Sequence, residues 1–135
     1  PETQVVLPMT GSSLLEPMLA IARGGSLGGH SPLDTRPGAA LTTVLASEGY
    51  PGLYPKGRSI HIPPDLENDD VLVFHAGTSR ADGDLVTSGG RVLAVTALGV
   101  DLGEAGELSR TAASRIEFEG QQFRSDIGWR ELARP

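Results

Sequence analysis

The chain has 135 residues, carries a formal net charge of −6 and contains no cysteine. The acidic balance argues against a nucleic-acid partner, which needs clustered Lys and Arg to displace counterions, and the lack of cysteine excludes disulfides, thiolate zinc sites and thiol nucleophiles. With 18 glycines and 10 prolines, the sequence predicts short strands and tight turns rather than a helical bundle, so the expected fold class is α+β.

The first predicted element is a helix near the N-terminus. Apolar residues recur from Leu14 to Ala22 behind a serine cap, and Gly24–Gly25 follows as a stop signal. The composition then turns to Gly, Pro, Ser and Asp from Ser26 to Gly38, which is the best candidate boundary in the chain. We therefore divide the sequence into a helical segment at 1–30 and a β-rich unit at 31–135.

The middle of the chain is predicted to form strands separated by turns. Ala39 to Ala46 is apolar and β-branched, typical of a strand, while Ile60 to Ile62 is a brief strand at best. Asp82–Gly83 and Gly89–Gly90 are turn signals. Around these turns the sequence predicts a three-stranded meander with strands at 71–76, 85–87 and 91–98.

The last part of the chain begins with a helix signal. Asp101 followed by Glu104 forms the pattern of a capping box. A short final strand is predicted at 122–124. The helix carries an apolar stripe that should lie on the sheet, formed by Leu102, Ala105, Leu108, Ala112 and Ile116.

The Gly89–Gly90–Arg91 stretch raises the question of whether it cradles a phosphate. Phosphate loops lead into a helix N-terminus whose amides face the anion, whereas this stretch leads into a predicted strand. Gly-Gly is a common two-residue hairpin connection, so a hairpin turn is the favoured interpretation. Arg91 still remains free to contact a phosphate as an isolated side chain.

The remaining candidate chemistry is weaker. His75 ends an apolar strand, and a lone histidine there is more often a hydrogen-bonded structural residue than a general base. The three histidines show no metal-ligand spacing. The acidic residues between 65 and 70 lack a calcium-loop pattern and indicate a solvated loop. From the residues alone, the chain is an α+β domain without an identifiable catalytic set.

Five ordered motifs nonetheless resemble one family. In order and spacing they resemble the C-terminal portion of the glycinamide ribonucleotide synthetases, also called phosphoribosylamine–glycine ligases, over essentially the whole chain. The resemblance implies a small, β-rich, barrel-sandwich-like domain with a packed helix, preceded by a helical segment from the end of an ATP-grasp domain. The motifs are Pro1-Glu2-Thr3-Gln4, ASEGYPG at 46–52, VFHAGT at 73–78, VTSGGRVLAVTALG at 86–99 and DIGWR at 126–130.

The resemblance also implies a reaction. Such ligases join glycine to 5-phosphoribosylamine in purine biosynthesis, while ATP is cleaved to ADP and phosphate. ATP, with Mg²⁺ or Mn²⁺, phosphorylates the carboxylate, and the amine then attacks the acyl phosphate. The sequence has no apolar run approaching about 18 residues and no leader, so we expect a cytoplasmic protein without a membrane partner.

The resemblance points to four site residues. The family's metal signature, Glu-x-Asn-x-Arg-x-Gly-Asp, runs directly into Pro-Glu-Thr-Gln, so this chain holds only its tail. By the resemblance, Glu2 adjoins the metal and acyl-transfer site. Arg91, His75 and Thr78 would line the face turned towards phosphoribosylamine, and no metal ligand is expected in this chain. We expect the chain alone to be inactive, because the family's N-terminal and ATP-grasp domains are missing.

A non-catalytic binding or interaction module is the alternative, since barrel-sandwich folds also serve as biotinyl and lipoyl carriers. Such carriers present a lysine at a hairpin tip. The only lysine, Lys56, lies in a Pro-Gly loop without flanking methionines, which argues against a carrier. A structural domain that docks on a partner through an uncovered apolar patch is compatible with the family resemblance.

Overall fold

The structure, a computed structural model, describes residues 2–29 and 32–134. Pro1, His30, Ser31 and Pro135 lie outside the described residues, and so do the first residue of the Pro-Glu-Thr-Gln motif and the predicted boundary between residues 30 and 31. In chain order the elements are α1 (Glu2–Met9), α2 (Leu15–Ala22), a 3-10 helix (Leu27–Gly29), β1 (Ala39–Ser47), β2 (Val71–His75), β3 (Thr78–Ala81), β4 (Asp84–Thr87), β5 (Arg91–Gly99), α3 (Leu102–Arg115), β6 (Gln121–Gln122) and α4 (Trp129–Leu132).

β1 and β5 form the centre of a four-stranded antiparallel sheet. The strand order is β2-β5-β1-β6, and β3 pairs with β4 in a separate two-stranded sheet. Both central strands are rich in Val, Leu, Thr and Ala, which suit a sheet that is covered on both faces. The expected α+β class is confirmed at the level of a mixed fold of antiparallel sheets and helices.

The predicted three-stranded meander is wrong, although its strands exist. β5 pairs with β2 and β1, while β4 pairs with β3. The turn at Asp82–Gly83 is confirmed, with the φ angles of 52° and 94° that such a two-residue hairpin requires. Gly89–Gly90 is not a hairpin turn, because it connects β4 of the small sheet to β5 of the large one. A non-local pairing has replaced the local one that the turn signal suggested.

α3 and α1 pack on opposite faces of the large sheet. On one face, the Thr43 hydroxyl lies 2.7 Å from the Ser109 hydroxyl of α3, which donates to Val95 O at 2.9 Å. On the other face, Thr96 Oγ1 donates to Gln4 O of α1 at 3.1 Å. Because side chains alternate along a strand, the regular part of β1 and β5 directs odd-numbered positions towards α3 and even-numbered ones towards α1.

α3 meets the sheet through small side chains, and the predicted apolar stripe is wrong in part. Leu108, predicted to lie on the sheet, is 37% exposed. A Cβ added to Gly99 would lie 2.6 Å from Ala105 N, so the first turns of the helix lie too close to the sheet for any side chain at residue 99. The buried face consists instead of Ala105, Gly106, Ser109, Ala112 and Ala113, with Ile116 at the C-cap.

The N-cap half of the predicted capping box of α3 is confirmed, while the reciprocal bond is shifted by one residue. Asp101 Oδ1 accepts a hydrogen bond from Glu104 N at 2.9 Å. Glu104 Oε2 accepts one from Val100 N at 2.6 Å, one residue before the cap. The box therefore holds the connection between β5 and α3 as well as the first turn of the helix.

The N-terminal segment contains two short helices. The predicted stop after α2 is confirmed: the helix ends at Ala22, and Gly24, two residues later, has a φ of 75° that suits a left-handed helix stop. The sequence pattern does not predict α1, because α1 contains Pro8 and depends on packing against β1 and β5. In the described ranges 2–29 and 32–134, no helix has both the length and the apolar character needed to cross a membrane.

Removing the cap of α3 should destabilise the chain measurably. We expect Asp101→Ala to lower the free energy of unfolding by about 1 kcal/mol, the usual cost of losing such a side-chain acceptor. Asp69→Ala, in the exposed loop before β2, is the matched control and should leave the stability unchanged. Urea denaturation followed by circular dichroism measures both variants. Equal stabilities for the two would show that the cap contributes nothing.

An ion pair ties the loop before β2 to the last turn of α3. Asp65 Oδ1 and Oδ2 lie 2.7 and 2.8 Å from Arg115 Nη2, and these hydrogen bonds lower the pKa of the Asp65 carboxyl. A lowered folded-state pKa stabilises the fold above the unfolded-state pKa, and this contribution is lost as the pH falls through the folded-state pKa. Because the pair is exposed to solvent, its contribution is small.

The pKa of Asp65 tests this ion pair directly. We expect a carboxyl-carbon NMR titration to place the Asp65 midpoint below its ordinary value, and Arg115→Gln to raise it, since the hydrogen-bonded guanidinium is removed. Arg110→Gln is the control, because that arginine lies on the same helix but pairs with Glu107. An Asp65 midpoint that stays low in Arg115→Gln would rule out the ion pair as its cause.

Candidate functional site

A cavity of about 560 Å³ opens between the N-terminus of α1 and the face of the sheet that α1 covers. α1 contributes Glu2, Thr3 and Gln4, and the loop after β1 contributes Tyr50. Two residues singled out from distant parts of the sequence, Glu2 and Arg91, therefore share one cavity. The other lining residues come from the sheet and its strand ends, namely Val44, Ala76, Gly77, Gly90, Arg91, Leu93 and Ala94.

Arg91 reaches the cavity because β5 contains a β-bulge. Leu45 pairs with Leu93, but the next residue, Ala46, pairs with Arg91, which leaves Val92 as an extra residue in β5. Simple alternation would put Arg91 on the face of Leu93, against α3. The bulge instead sets Arg91 opposite Ala46, on the cavity face. A charged side chain is thereby kept out of the apolar core and directed to the cavity.

The Gly89–Gly90 turn before Arg91 is fixed by a close chain crossing. Gly77 O accepts hydrogen bonds from Ser88 N at 2.8 Å and from Gly89 N at 3.1 Å, and Gly77 N donates to Arg91 O at 2.8 Å. A Cβ added to Gly77 would lie 2.6 Å from both Arg91 O and Gly89 Cα, so only glycine fits there. Since the amides of Ser88 and Gly89 are used inside the protein, the side chain of Arg91 is the main candidate for binding an anion.

The positive charge of Arg91 has no acidic partner within the described part of the chain. Among residues 2–29 and 32–134, neither the Arg91 guanidinium nor the Glu2 carboxylate makes an ion pair or a side-chain hydrogen bond. Both side chains are exposed at the cavity. An unpaired guanidinium binds phosphate or carboxylate in a bidentate arrangement, so this end of the cavity suits an anionic group.

A second cavity of about 450 Å³ adjoins the first across Tyr50 and Arg91, with Phe123 in its wall. Arg124 also lines it, but Asp126 holds that guanidinium through hydrogen bonds of 2.8 and 2.7 Å. These bonds raise the pKa of Arg124 and lower the pKa of the Asp126 carboxyl. The charge of Arg124 is therefore offset locally, whereas that of Arg91 is available to a ligand.

His75 and Thr78 lie beside the cavity and contact each other. His75 Nδ1 is 3.0 Å from Thr78 Oγ1, and the two residues between them line the cavity. The register of β2 places His75 on the side of the sheet that α3 covers, at an exposed strand end. The structure thus brings together Glu2 with Arg91, and separately His75 with Thr78, rather than all four side chains.

The described residues do not by themselves fit a Mg²⁺ or Mn²⁺ site. Residues 2–29 and 32–134 contain no group of three or more His, Asp or Glu side chains that could hold a metal ion. In that part of the chain, the cavity lining includes a single carboxylate, that of Glu2. Hard divalent cations require several oxygen ligands, so further ligands from outside these residues would be needed.

Two residues that shape the site were missed by the sequence reasoning. Tyr50 separates the two cavities, and its place in the ASEGYPG motif was a signal that could have identified it. Ser47 is 2% exposed and bonds to the turn before Arg91. Its partner lies 42 residues away in sequence, so no local pattern could reveal that contact.

Comparison with known proteins gives consistent matches. Residues 40–130 match the family described as "Phosphoribosylglycinamide synthetase, C domain". The phosphoribosylamine–glycine ligase of Chlorobaculum tepidum is 52% identical over 134 residues, which cover 98% of this chain and 31% of that protein. The "Trifunctional purine biosynthetic protein adenosine-3" of Gallus gallus is 44% identical over 133 residues, covering 98% of this chain and 13% of that protein.

A solved structure also resembles this fold. The crystal structure of the phosphoribosylamine–glycine ligase from Thermotoga maritima matches with a TM-score of 0.79 and 36% sequence identity. The match covers 93% of this chain and 30% of the solved one. This chain therefore spans less than a third of the length of each of these three relatives.

Proposed function

We propose, since the chain belongs to the phosphoribosylglycinamide synthetase C-domain family, that it acts as the C-terminal part of a longer phosphoribosylamine–glycine ligase. That enzyme joins glycine to 5-phosphoribosylamine in purine biosynthesis and cleaves ATP to ADP and phosphate. The observation that carries the proposal is that the guanidinium of Arg91, which has no acidic partner among the described residues, lines the same cavity as the carboxylate of Glu2. This pair gives the cavity a cationic and an anionic part.

The two charges match the two ends of phosphoribosylamine. In this proposal Arg91 binds the phosphate, because its planar fork accepts two phosphate oxygens at once. Glu2 adjoins the reacting amine at the other end of the sugar, where a phosphate would be repelled by the carboxylate. The substrate is thereby held in one direction, with its amine towards the acyl-transfer site. By fixing that orientation, Arg91 and Glu2 would raise the rate of the reaction.

His75 and Thr78 are proposed to act at the rim of the same cavity. Their mutual contact of 3.0 Å spans the segment Ala76–Gly77, which lines the cavity. Holding that segment would shape the entrance for the sugar. This role needs no ionised histidine, because either ring tautomer can share a hydrogen bond with a threonine hydroxyl.

ATP and Mg²⁺ or Mn²⁺ are assigned to the part of the ligase outside this chain. What supports this assignment is the cavity lining, to which the described residues contribute one carboxylate, that of Glu2. ATP supplies the phosphoryl group that activates the glycine carboxylate, and the metal offsets its charge. The residues of this chain position the amine that attacks the activated glycine.

Two finer features of the fold belong to the same proposal. We propose that residues 31–135 form a barrel-sandwich-like C-terminal domain, supported by the bridge of Ser59 to Val86, which links the small sheet to the segment before β2. We also propose that residues 1–30 continue an ATP-grasp domain. The latter is supported by the lack of any buried residue in α1, α2 and the described 3-10 helix.

A non-catalytic interaction module is the second candidate function. The observation that favours it is a set of large apolar side chains exposed on the N-terminal helices. We propose that in the ligase the rest of the enzyme covers these side chains. We also propose that the ligase acts in the cytoplasm and has no membrane partner. A carrier role has less support, because Lys56 lies in the irregular segment after β1 and not at the Asp82–Gly83 hairpin tip. The exposed set is Val6, Leu7, Leu15, Met18, Ile21 and Leu27.

Reassembly of the ligase from two parts tests the proposal. We expect no ADP release from the 135-residue chain with glycine, phosphoribosylamine, ATP and Mg²⁺, because the ATP site is assigned elsewhere. We expect release when the separately expressed N-terminal part of the enzyme is added, and none from that part alone. Turnover by the chain alone would contradict the assignment. No turnover from the mixture, under conditions where the uninterrupted ligase is active, would favour a module that docks without completing the site.

The role of Arg91 can be tested in the uninterrupted ligase. We expect Arg91→Ala to raise the KM for phosphoribosylamine about 10- to 100-fold, the range for losing a charge-assisted hydrogen bond, with little change in the KM for ATP. Arg91→Lys should recover part of the loss. Arg80→Ala, on the exposed β3–β4 hairpin, removes the same charge away from the cavity and is the control. An unchanged phosphoribosylamine KM in Arg91→Ala would remove the proposed phosphate contact.

A further inference from the structure

Ser47, at the end of β1, bonds to both backbone carbonyls that precede Arg91. Its N–H donates to Gly90 O at 2.8 Å, and its hydroxyl donates to Gly89 O at 3.2 Å. The side chain is 2% exposed, so water cannot readily replace these bonds. One buried residue thus anchors the whole turn through which the chain enters β5.

The same turn is enclosed from its other sides. The chain crossing at Gly77 fixes Gly89 from one direction. A Cβ added to Gly90 would collide with the ring of Tyr50 and lie 2.9 Å from Cε1 of Tyr54. The turn therefore has little room to move sideways, and the hydrogen bonds from Ser47 restrict the movement that remains.

The bulge makes such anchoring necessary. Ladder hydrogen bonds normally hold a strand residue in place, but a bulge interrupts the ladder and leaves one residue unpaired. Val92 is that residue in β5, and Arg91 is its neighbour on the turn side. The backbone of Arg91 pairs with Ala46 beyond the bulge and depends in addition on contacts outside the regular ladder. Those contacts are the bonds from Ser47 to the turn and the bond from Gly77 N to Arg91 O.

We propose that Ser47 is a positioning residue for Arg91, which holds the Gly89–Gly90 turn and the bulge so that the guanidinium points into the cavity. The inference rests on the proposed function, in which Arg91 binds the phosphate of phosphoribosylamine. Ser47 does not line the cavity and acts through the backbone. Because a bidentate contact depends strongly on direction, a shift of the turn weakens phosphate binding without removing the charge.

Substitution of Ser47 in the uninterrupted ligase tests this role. Ser47→Ala keeps the N–H bond and removes the hydroxyl bond, so we expect the KM for phosphoribosylamine to rise about 3- to 10-fold, as for one lost hydrogen bond, with a smaller change in kcat. Ser114→Ala removes an exposed hydroxyl bond on α3 and should change neither constant. An unchanged KM in Ser47→Ala would overturn the proposal.

A matched pair of variants isolates the hydroxyl if Ser47→Ala folds poorly. Ser47→Thr and Ser47→Val have nearly the same shape and both suit a strand, but only Ser47→Thr keeps the hydroxyl. We expect Ser47→Thr to show the lower KM for phosphoribosylamine of the two. Equal KM values for this pair would overturn the proposal, whatever their melting temperatures.

A double-mutant cycle distinguishes positioning from a general structural effect. If Ser47 acts through Arg91, Ser47→Ala should raise the KM no further in an Arg91→Ala background. Fully additive effects would overturn the positioning role. An Arg91→Ala variant with normal KM would instead refute the phosphate contact of the proposed function, so the two failures are distinguishable.

Discussion

The antiparallel pairing of β1 with β5 is the interaction on which the rest of the structure depends. It creates two faces whose side chains serve different purposes. On one face α3 approaches so closely that small residues such as Ala105 and Ser109 form the contact. On the other, α1 covers the sheet near Thr96 and leaves a cavity at its own N-terminus. Each residue's contribution to core or site follows from the face that the register assigns to it.

The bulge in β5 interrupts the alternation of side chains between the two faces of the sheet, and the interruption has a physical reason. A regular register would place the guanidinium of Arg91 among apolar side chains beneath α3, and an unpaired buried charge is strongly unfavourable. Shifting the pairing by one residue lets Val92 and Leu93 both be fully buried while Arg91 turns to the cavity. The stability of the core and the chemistry of the cavity therefore favour the same irregular register.

Local elements could be predicted from the sequence better than the strands with which they pair. The strand at β1 and the capping box at Asp101 could be recognised because their signals lie within a few residues. The pairing of β2 with β5 could not, since the Gly89–Gly90 signal suggests a hairpin. Gly89 is instead required by the crossing at Gly77, and Gly90 by the rings of Tyr50 and Tyr54. The resemblance singled out Glu2 and Arg91 separately, but only the fold places them in one cavity.

The charge distribution in the cavity suits one part of a binding site rather than a complete site. The chain carries a formal net charge of −6, yet in the described part of the cavity an uncommitted arginine faces a single carboxylate. In the proposed function, this surface would bind the phosphate at one end and repel it at the other, which would fix the direction of a phosphorylated amine. Orientation of this kind requires a rigid backbone behind the arginine more than additional charges. The anchors at Ser47 and Gly77 supply that rigidity.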